Sequence, residues 1–303
     1  MSLTVKARVP ATTANMGPGF DCLGMALTLY NEVEFQVGEG ACVRDNLICR
    51  SFDLALERLG VVPRPVRLRM LKADIPVARG LGSSAACIVA GVLAARAVAP
   101  RLGGAEMSLA DAIDLAVEIE GHPDNVVPAM VGGVTAAVMV EGPGEDRQPA
   151  EPRVQYCRID PPEDLTMAAL VPDFRLSTEE ARSALPAQYD RADAVSNIGR
   201  AALLTASLAS GDLSCLRAAV EDRIHQPYRL PLIAHSREVI EAARAAGSEA
   251  EFVSGSGPTI MALLRGDGAA FAAQVSDRLA RIPGGWVVHL LKPERSGAQV
   301  WVE

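Results

Sequence analysis

Lysine is nearly missing from this chain: Lys6, Lys72 and Lys292 are the only three in 303 residues, and none follows a glycine-rich loop. That excludes a G-x-x-x-x-G-K-[ST] loop, whose lysine reaches a nucleotide's outer phosphates. A complete G-x-G-x-x-G fingerprint is lacking too, because "GLGSSA" (80–85) supplies just its first two glycines. Net positive charge is absent. At −8 the chain has no basic stripe to replace counterions on a phosphate backbone, so nucleic acid is not an expected partner. The six cysteines, Cys22, Cys42, Cys49, Cys87, Cys157 and Cys215, form no CxxC pair. Neither a disulfide framework nor a zinc site is expected from that spread, and a reducing cytoplasm suits it. The opening "MSLTVKARVP" lacks the apolar core of a signal peptide, and no apolar run is expected to reach the length of a membrane span. A soluble cytoplasmic protein with no membrane partner is the expectation.

What is present suits a globular protein. With 49% hydrophobic and 22% charged residues the chain can bury a sizeable core, and its length allows two ordinary domains or one large one. Apolar and polar residues alternate over 3–9, 29–37 and 65–71, as in half-buried strands. The pattern turns helical from Ser83 to about Val98, before Pro100. Ser108 with Asp111 caps a second helix, carried by Leu109, Ile113 and Ala116 to about Glu120 and ended by "GHP". A buried strand is expected over 131–140. The polar, Gly- and Pro-rich stretch 141–153 marks the best domain boundary, giving domains 1–150 and 151–303. Beyond it lie a strand at 165–171 and helices near 193–210, 212–224 and 235–246. Strands within 251–264 and 285–291 follow, with a helix at 268–281 between them. Strands and helices mix without a regular βαβ repeat, which predicts an α+β protein of two lobes.

Three glycine-rich stretches stand out. In "PVARGLGSSAACIVAG" (76–91), Gly80 and Gly82 let successive backbone N–H groups converge, and the helix that follows adds its positive end. The Ser84 hydroxyl is a candidate Mg²⁺ ligand. The same pattern also suits a Gly/Ser-capped packed helix. "VPATTANMGPGFDCLGMAL" (9–27) places Asn15, Gly17, Gly19 and Asp21 in a loop after the first strand. "VSGSGPTIMALL" (253–264) is a third such turn, entering a strand.

In order and spacing these stretches resemble the three motifs of the GHMP kinases, named for galacto-, homoserine, mevalonate and phosphomevalonate kinases, from residue 9 to about 264. The first motif, with "EGHPDNVVPAMVGG" (120–133) and "RLSTEEARSALP" (175–186), resembles the homoserine kinase branch. The resemblance implies an amino-terminal domain of ribosomal-S5-domain-2-like fold and a ferredoxin-like carboxy-terminal domain. It implies ATP- and Mg²⁺-dependent phosphorylation of the L-homoserine hydroxyl to O-phospho-L-homoserine, a step of threonine biosynthesis, in a protein that is a homodimer in many relatives. A mevalonate-type or diphosphocytidyl-methylerythritol kinase is the alternative within the superfamily, and a non-catalytic sensor on the same fold is the alternative outside it.

Site residues carry over by position. Pro76, Val77, Ala78 and Arg79 lead into the phosphate loop, Gly80, Leu81 and Gly82 turn it, and Ser83, Ser84 and Ala85 open the helix. Ser84 and a glutamate on the helix before "GHPDN" are the metal ligands implied. Glu120 lies seven residues after Ile113 and so on the inward face, whereas Glu118 falls on the polar face with Asp111 and Asp114. Asn46 matches an adenine-contacting asparagine, and is equally an Asx-turn residue. For the amino acid, Asp21 suits an ammonium, while Arg182 and Arg229 suit a carboxylate, which a guanidinium fork matches in bidentate geometry. Asn15, His122, Asn125 and Thr178 complete the shell. Asn125 stands where mevalonate kinase-like members place an aspartate base, and an amide orients a hydroxyl but does not deprotonate it. Asp124 is the rival base.

Overall fold

Val5, Ala7, Val9 and Ala11 are all fully buried, and this period-two face belongs to a strand that outruns the expected 3–9: β1 spans Leu3–Ala14. The structure, a computed structural model, describes residues 3–40, 46–141 and 152–303. β1 runs antiparallel to β2 (Leu23–Val37), paired from Leu3 opposite Val37 to Ala14 opposite Gly24 with a register shift between Pro10 and Ala11. β2 is shared: its far half pairs with β3 (Val66–Ala73), and its near half with β4 (Val134–Val140).

Four helices cover this sheet: α1 (Leu47–Arg58), α2 (Ser83–Val98), α3 (Leu109–Glu120) and α4 (Pro123–Val131). α2 lies at the centre of the layer with eleven of its sixteen residues buried, many of them Ala. Small side chains let α1 press close: a Cβ on Gly91 would sit 2.5 Å from the Ile48 carbonyl oxygen. On inspection alone no segment looked long enough to span a membrane, yet Ser83–Leu102 is long and apolar enough to do so by length and composition. Its apolarity is explained by this central position, since 67% of the window is buried inside the protein.

The second lobe is built from β6 (Leu165–Val171), β7 (Ala250–Val253), β8 (Ile260–Arg265) and β9 (Val287–Leu291), with α9 (Ser236–Ala245) and α10 (Ala269–Leu279) on its outer face. The antiparallel strand order is β7-β8-β6-β9, the ferredoxin-like arrangement. Both faces of β6 and β8 are buried. Ala168, Leu170, Ile260, Ala262 and Leu264 pack against α9 and α10. Leu165, Met167, Ala169, Met261 and Leu263 join the core of the first lobe. One apolar cluster therefore runs through both lobes.

Several expectations need correction. The division at residue 150 fails, because β5 (Arg153–Ile159) pairs with β4 and the last strand, β10 (Gln299–Val302), pairs with β1. The first sheet thus has the order β10-β1-β2-β4-β5. The stretch 141–153, most of it outside the described residues, joins two antiparallel neighbours of one sheet. β5 is largely exposed, so no buried alternation betrays it. α4 begins immediately after α3 with Pro123 as its first residue, so "GHP" ends one helix and starts another. The helix expected over 212–224 shrinks to α7 (Leu216–Ala219). Cys49 is disulfide-bonded, while Cys22, Cys87, Cys157 and Cys215 are free. Cysteine spacing therefore carries no weight for the compartment.

Candidate active site

Loops from both lobes meet around a cleft of about 580 Å³. The segment between β3 and α2 forms one wall. Gly80 and Gly82 take left-handed conformations, with φ 74° and 70°. A Cβ on Gly82 would lie 1.9 Å from Thr12 Oγ1, and one on Gly80 2.2 Å from the Ser254 carbonyl oxygen. Only glycine fits either place. Gly82 is the residue before α2, and no side chain caps that helix end. The first amides of α2 are thereby left for an anion. The β7–β8 turn braces the loop from the other lobe, where the Ser254 hydroxyl donates to the Gly80 carbonyl at 2.6 Å. Arg79 contributes to the brace, its guanidinium donating to the Pro172 and Asp173 carbonyls.

At the start of α2, Ser84 donates to Glu120 Oε2 at 2.8 Å. Burial pushes the Glu120 carboxyl above its ordinary pKa, opposed by this hydrogen bond and by His122. Glu118 points elsewhere, to Arg58 on the outer surface at 2.9 Å. The residues just past Glu120 supply a second cluster. His122 Nδ1 and Asp124 Oδ1 are 2.5 Å apart, Asn125 donates to the same Asp124 oxygen at 3.3 Å, and Thr12 donates to Asn125 Oδ1 at 2.7 Å. Burial pulls the His122 pKa down. The Asp124 hydrogen bond and charge, with Glu120 and Asp21, outweigh it and leave the ring above its ordinary value.

The loop between β1 and β2 holds three non-glycine residues at positive φ, Asn15 (65°), Met16 (42°) and Asp21 (55°). Such conformations persist only where surrounding structure enforces them. Here Asn15 Nδ2 donates to the Gly255 carbonyl at 2.8 Å, and Asn15 Oδ1 accepts from the Asp21 amide at 2.9 Å. Asp21 is held by Arg182, at the end of α5 (Thr178–Ser183), through two bonds of 3.0 and 2.7 Å. Two of the three residues expected to grip the amino acid's charged groups are therefore paired with each other. Thr178 faces Ser256, their hydroxyl oxygens 3.4 Å apart.

Arg229 closes α8 (Gln226–Arg229) and is 1% exposed. It donates to the Ala181 and Gly255 carbonyls, at 3.4 and 3.1 Å. Among the described residues it has no salt bridge. Burial, reinforced by the charge of Arg182, holds its pKa below the ordinary guanidinium value.

The cleft thus gathers Asn15, Asp21, Ser84, Glu120, His122 and Asn125 with Thr178, Arg182 and Arg229. Of the phosphate-loop residues, Val77 to Gly80 and Gly82 to Ser84 line it, while Leu81 and Ala85 are buried behind and Pro76 leads in. Asn46 does not line it: its side chain caps α1, accepting from the Ile48 and Cys49 amides at 2.9 and 3.4 Å. Thr12, Phe20, Ser254 and Ser256 were not expected at the site, although all four lie in stretches that stand out for their glycines.

Comparison with known proteins places the chain in a family. The GHMP kinases N terminal domain family matches residues 46–133, and the GHMP kinases C terminal family matches 203–281. Homoserine kinase from Clostridium kluyveri is 40% identical over 98% of each chain, and that from Clostridium novyi 41% identical over the same share. The crystal structure of homoserine kinase from Cytophaga hutchinsonii superimposes with a TM-score of 0.82 at 29% identity, covering 98% of this chain and 97% of the other. Fold similarity extends further: L. major mevalonate kinase reaches a TM-score of 0.70 over 96% of each chain, at 15% identity. On this sequence relationship, the chain belongs to the homoserine kinase family of GHMP kinases.

Proposed function

We infer that the protein transfers the γ-phosphoryl group of ATP to the side-chain hydroxyl of L-homoserine, releasing ADP and O-phospho-L-homoserine. The observation that carries this reading is Arg229, a guanidinium 1% exposed in the cleft wall with no carboxylate partner among the described residues. A buried charge without a counterion is costly, and the substrate's carboxylate supplies the missing anion. Asp21 takes the ammonium, and Arg182, already its partner, adds a second donor to the carboxylate. An isoprenoid alcohol such as mevalonate offers no ammonium for Asp21.

The phosphate loop and the uncapped end of α2 receive the nucleotide's phosphates, doing with main-chain amides what a loop lysine does elsewhere. Ser84 and Glu120, a hydroxyl and a carboxylate 2.8 Å apart, form an all-oxygen donor set that suits a hard cation and would hold Mg²⁺. When bound, the ion would offset charge on the outer phosphates. Asn46 caps α1 outside the cleft, so only its amide NH2 would be left for an adenine edge that reached beyond the cleft.

The substrate hydroxyl oxygen forms the new bond to the γ-phosphorus while the bond to the β–γ bridging oxygen breaks. Its proton passes to a phosphoryl oxygen. Asn125 is no base; held by Thr12 and Asp124, it fixes the attacking hydroxyl, and His122 stands beside it. Rate comes from positioning and charge stabilisation. Coupled measurement of ADP release with homoserine, mevalonate and shikimate tests the reading. Turnover confined to homoserine is expected; turnover with mevalonate, or with none of the three, overturns it.

A further inference from the structure

The guanidinium of Arg229 faces a second, fully buried nitrogen group that the reaction scheme does not use. His225 is 0% exposed. Its Nε2 lies 2.6 Å from the Gly17 carbonyl oxygen and its Nδ1 3.3 Å from Arg229 Nη1. A carbonyl only accepts and a guanidinium only donates, so the two contacts allow one form: the neutral ring with its proton on Nε2. The ring stacks on Phe20, centroids 5.4 Å apart, and Phe20 lies 5.1 Å from the Arg229 guanidinium carbon and 5.6 Å from that of Arg182. Asp222 anchors the backbone here, accepting from the His225 and Gln226 amides at 2.9 and 2.6 Å.

Gly17 belongs to the loop that carries Asn15 and Asp21, whereas Arg229 comes from the other lobe. His225 hydrogen-bonds to both, and the Phe20 ring, of the same loop as Gly17, lies beside it. We propose that His225 is a positioning residue that sets the distance between the ammonium and carboxylate subsites, by tying Arg229 to the β1–β2 loop through a neutral imidazole. The inference rests on the reading of function above. Without the His225 bond, Arg229 keeps the Ala181 and Gly255 carbonyls and the Phe20 face but gains freedom to tilt away from the substrate, and the site then loses affinity for the α-amino acid end while its nucleotide end is untouched.

The test compares wild type with His225→Gln, whose amide donates to Gly17 and accepts from Arg229, and His225→Phe, which keeps the stack without the bonds. Steady-state constants are measured for both substrates, with thermal melts alongside. His225→Phe is expected to raise the homoserine KM about 10- to 100-fold, the loss that goes with one hydrogen bond to a charged group. The expected KM for ATP stays within about threefold, and His225→Gln recovers most of the homoserine loss. Unchanged homoserine KM in both variants, or KM values for ATP and homoserine that rise together, overturn the proposal. If His225→Phe lacks a cooperative melt, His225→Leu, which likewise makes neither bond, takes its place: a rise of roughly tenfold or more in homoserine KM alone supports positioning, and no rise overturns it. Wild type inactive on homoserine overturns the functional reading itself, whereas wild type active with unaffected variants overturns only this inference.

Discussion

Buried charge is the most informative feature at the scale of single residues. Arg229 has no salt bridge among the described residues, and desolvation already weakens its hold on its proton, so in the proposed scheme the substrate carboxylate is its ionic partner. Arg229→Leu is expected to raise the homoserine KM on the order of 10²-fold and leave the KM for ATP nearly unchanged; steady-state kinetics against both substrates checks this. Ser84→Ala removes one of two paired oxygen donors, so turnover should demand more Mg²⁺ while homoserine binding holds; a titration of rate against Mg²⁺ reads it. Asp124 shares one oxygen between His122 and Asn125, which makes it a framework anion in the proposed scheme. Asp124→Asn is therefore expected to keep kcat within about tenfold. A loss of roughly 10³ in single-turnover rate would assign it the role of base, since such groups contribute about 10² to 10⁴. Of these residues, Glu120 over Glu118 was legible from helical spacing alone. The pairing of Asp21 with Arg182, 161 positions apart, was not.

At the scale of elements, α2 does most of the organising. Its amino end needs the left-handed turn at Gly82, and its small residues allow α1 to approach. Gly82→Ala places a methyl group where Thr12 Oγ1 now lies, and does so at a φ of 70°. Both effects push the loop outward, so kcat/KM for ATP is expected to fall at least tenfold, with the homoserine KM less affected. α2 and α3 were legible because their apolar positions repeat at the helical period and a serine caps α3. α1 had the same signals, with Asn46 as its cap and Ile48, Phe52 and Leu56 on one face, and they were passed over because Asn46 was weighed as a ligand. β5 carried no such signal, being an exposed edge strand.

For the whole molecule, the link between lobes is also a pH-sensitive one. Burial holds the His225 pKa below its ordinary 6.5, helped by Arg229 and opposed by Asp222, Gly17 and Asp21. The unfolded chain thus binds a proton near pH 6.5 that the folded chain does not. Stability from this group is complete above that pH and is lost as pH falls through it, by up to about 1.4 kcal/mol per pH unit. Denaturant melts between pH 8 and 5.5 should show a steeper loss for wild type than for His225→Gln. Equal slopes would mean the ring does not stay neutral when folded.

By itself the sequence determined the local chemistry: glycines where a backbone must turn left-handed, an uncapped helix start after them, and motif residues whose side chains suit phosphate, ammonium and carboxylate. These follow from short-range sterics and side-chain type, which neighbouring residues settle. Tertiary structure alone decided which of those groups meet. Arg229 gains its burial, His225 its tautomer and residues 153–159 and 299–302 their place in the first sheet only when segments distant in sequence come together. Burial and long-range pairing are properties of the packed chain, set by the apolar cluster that joins both lobes.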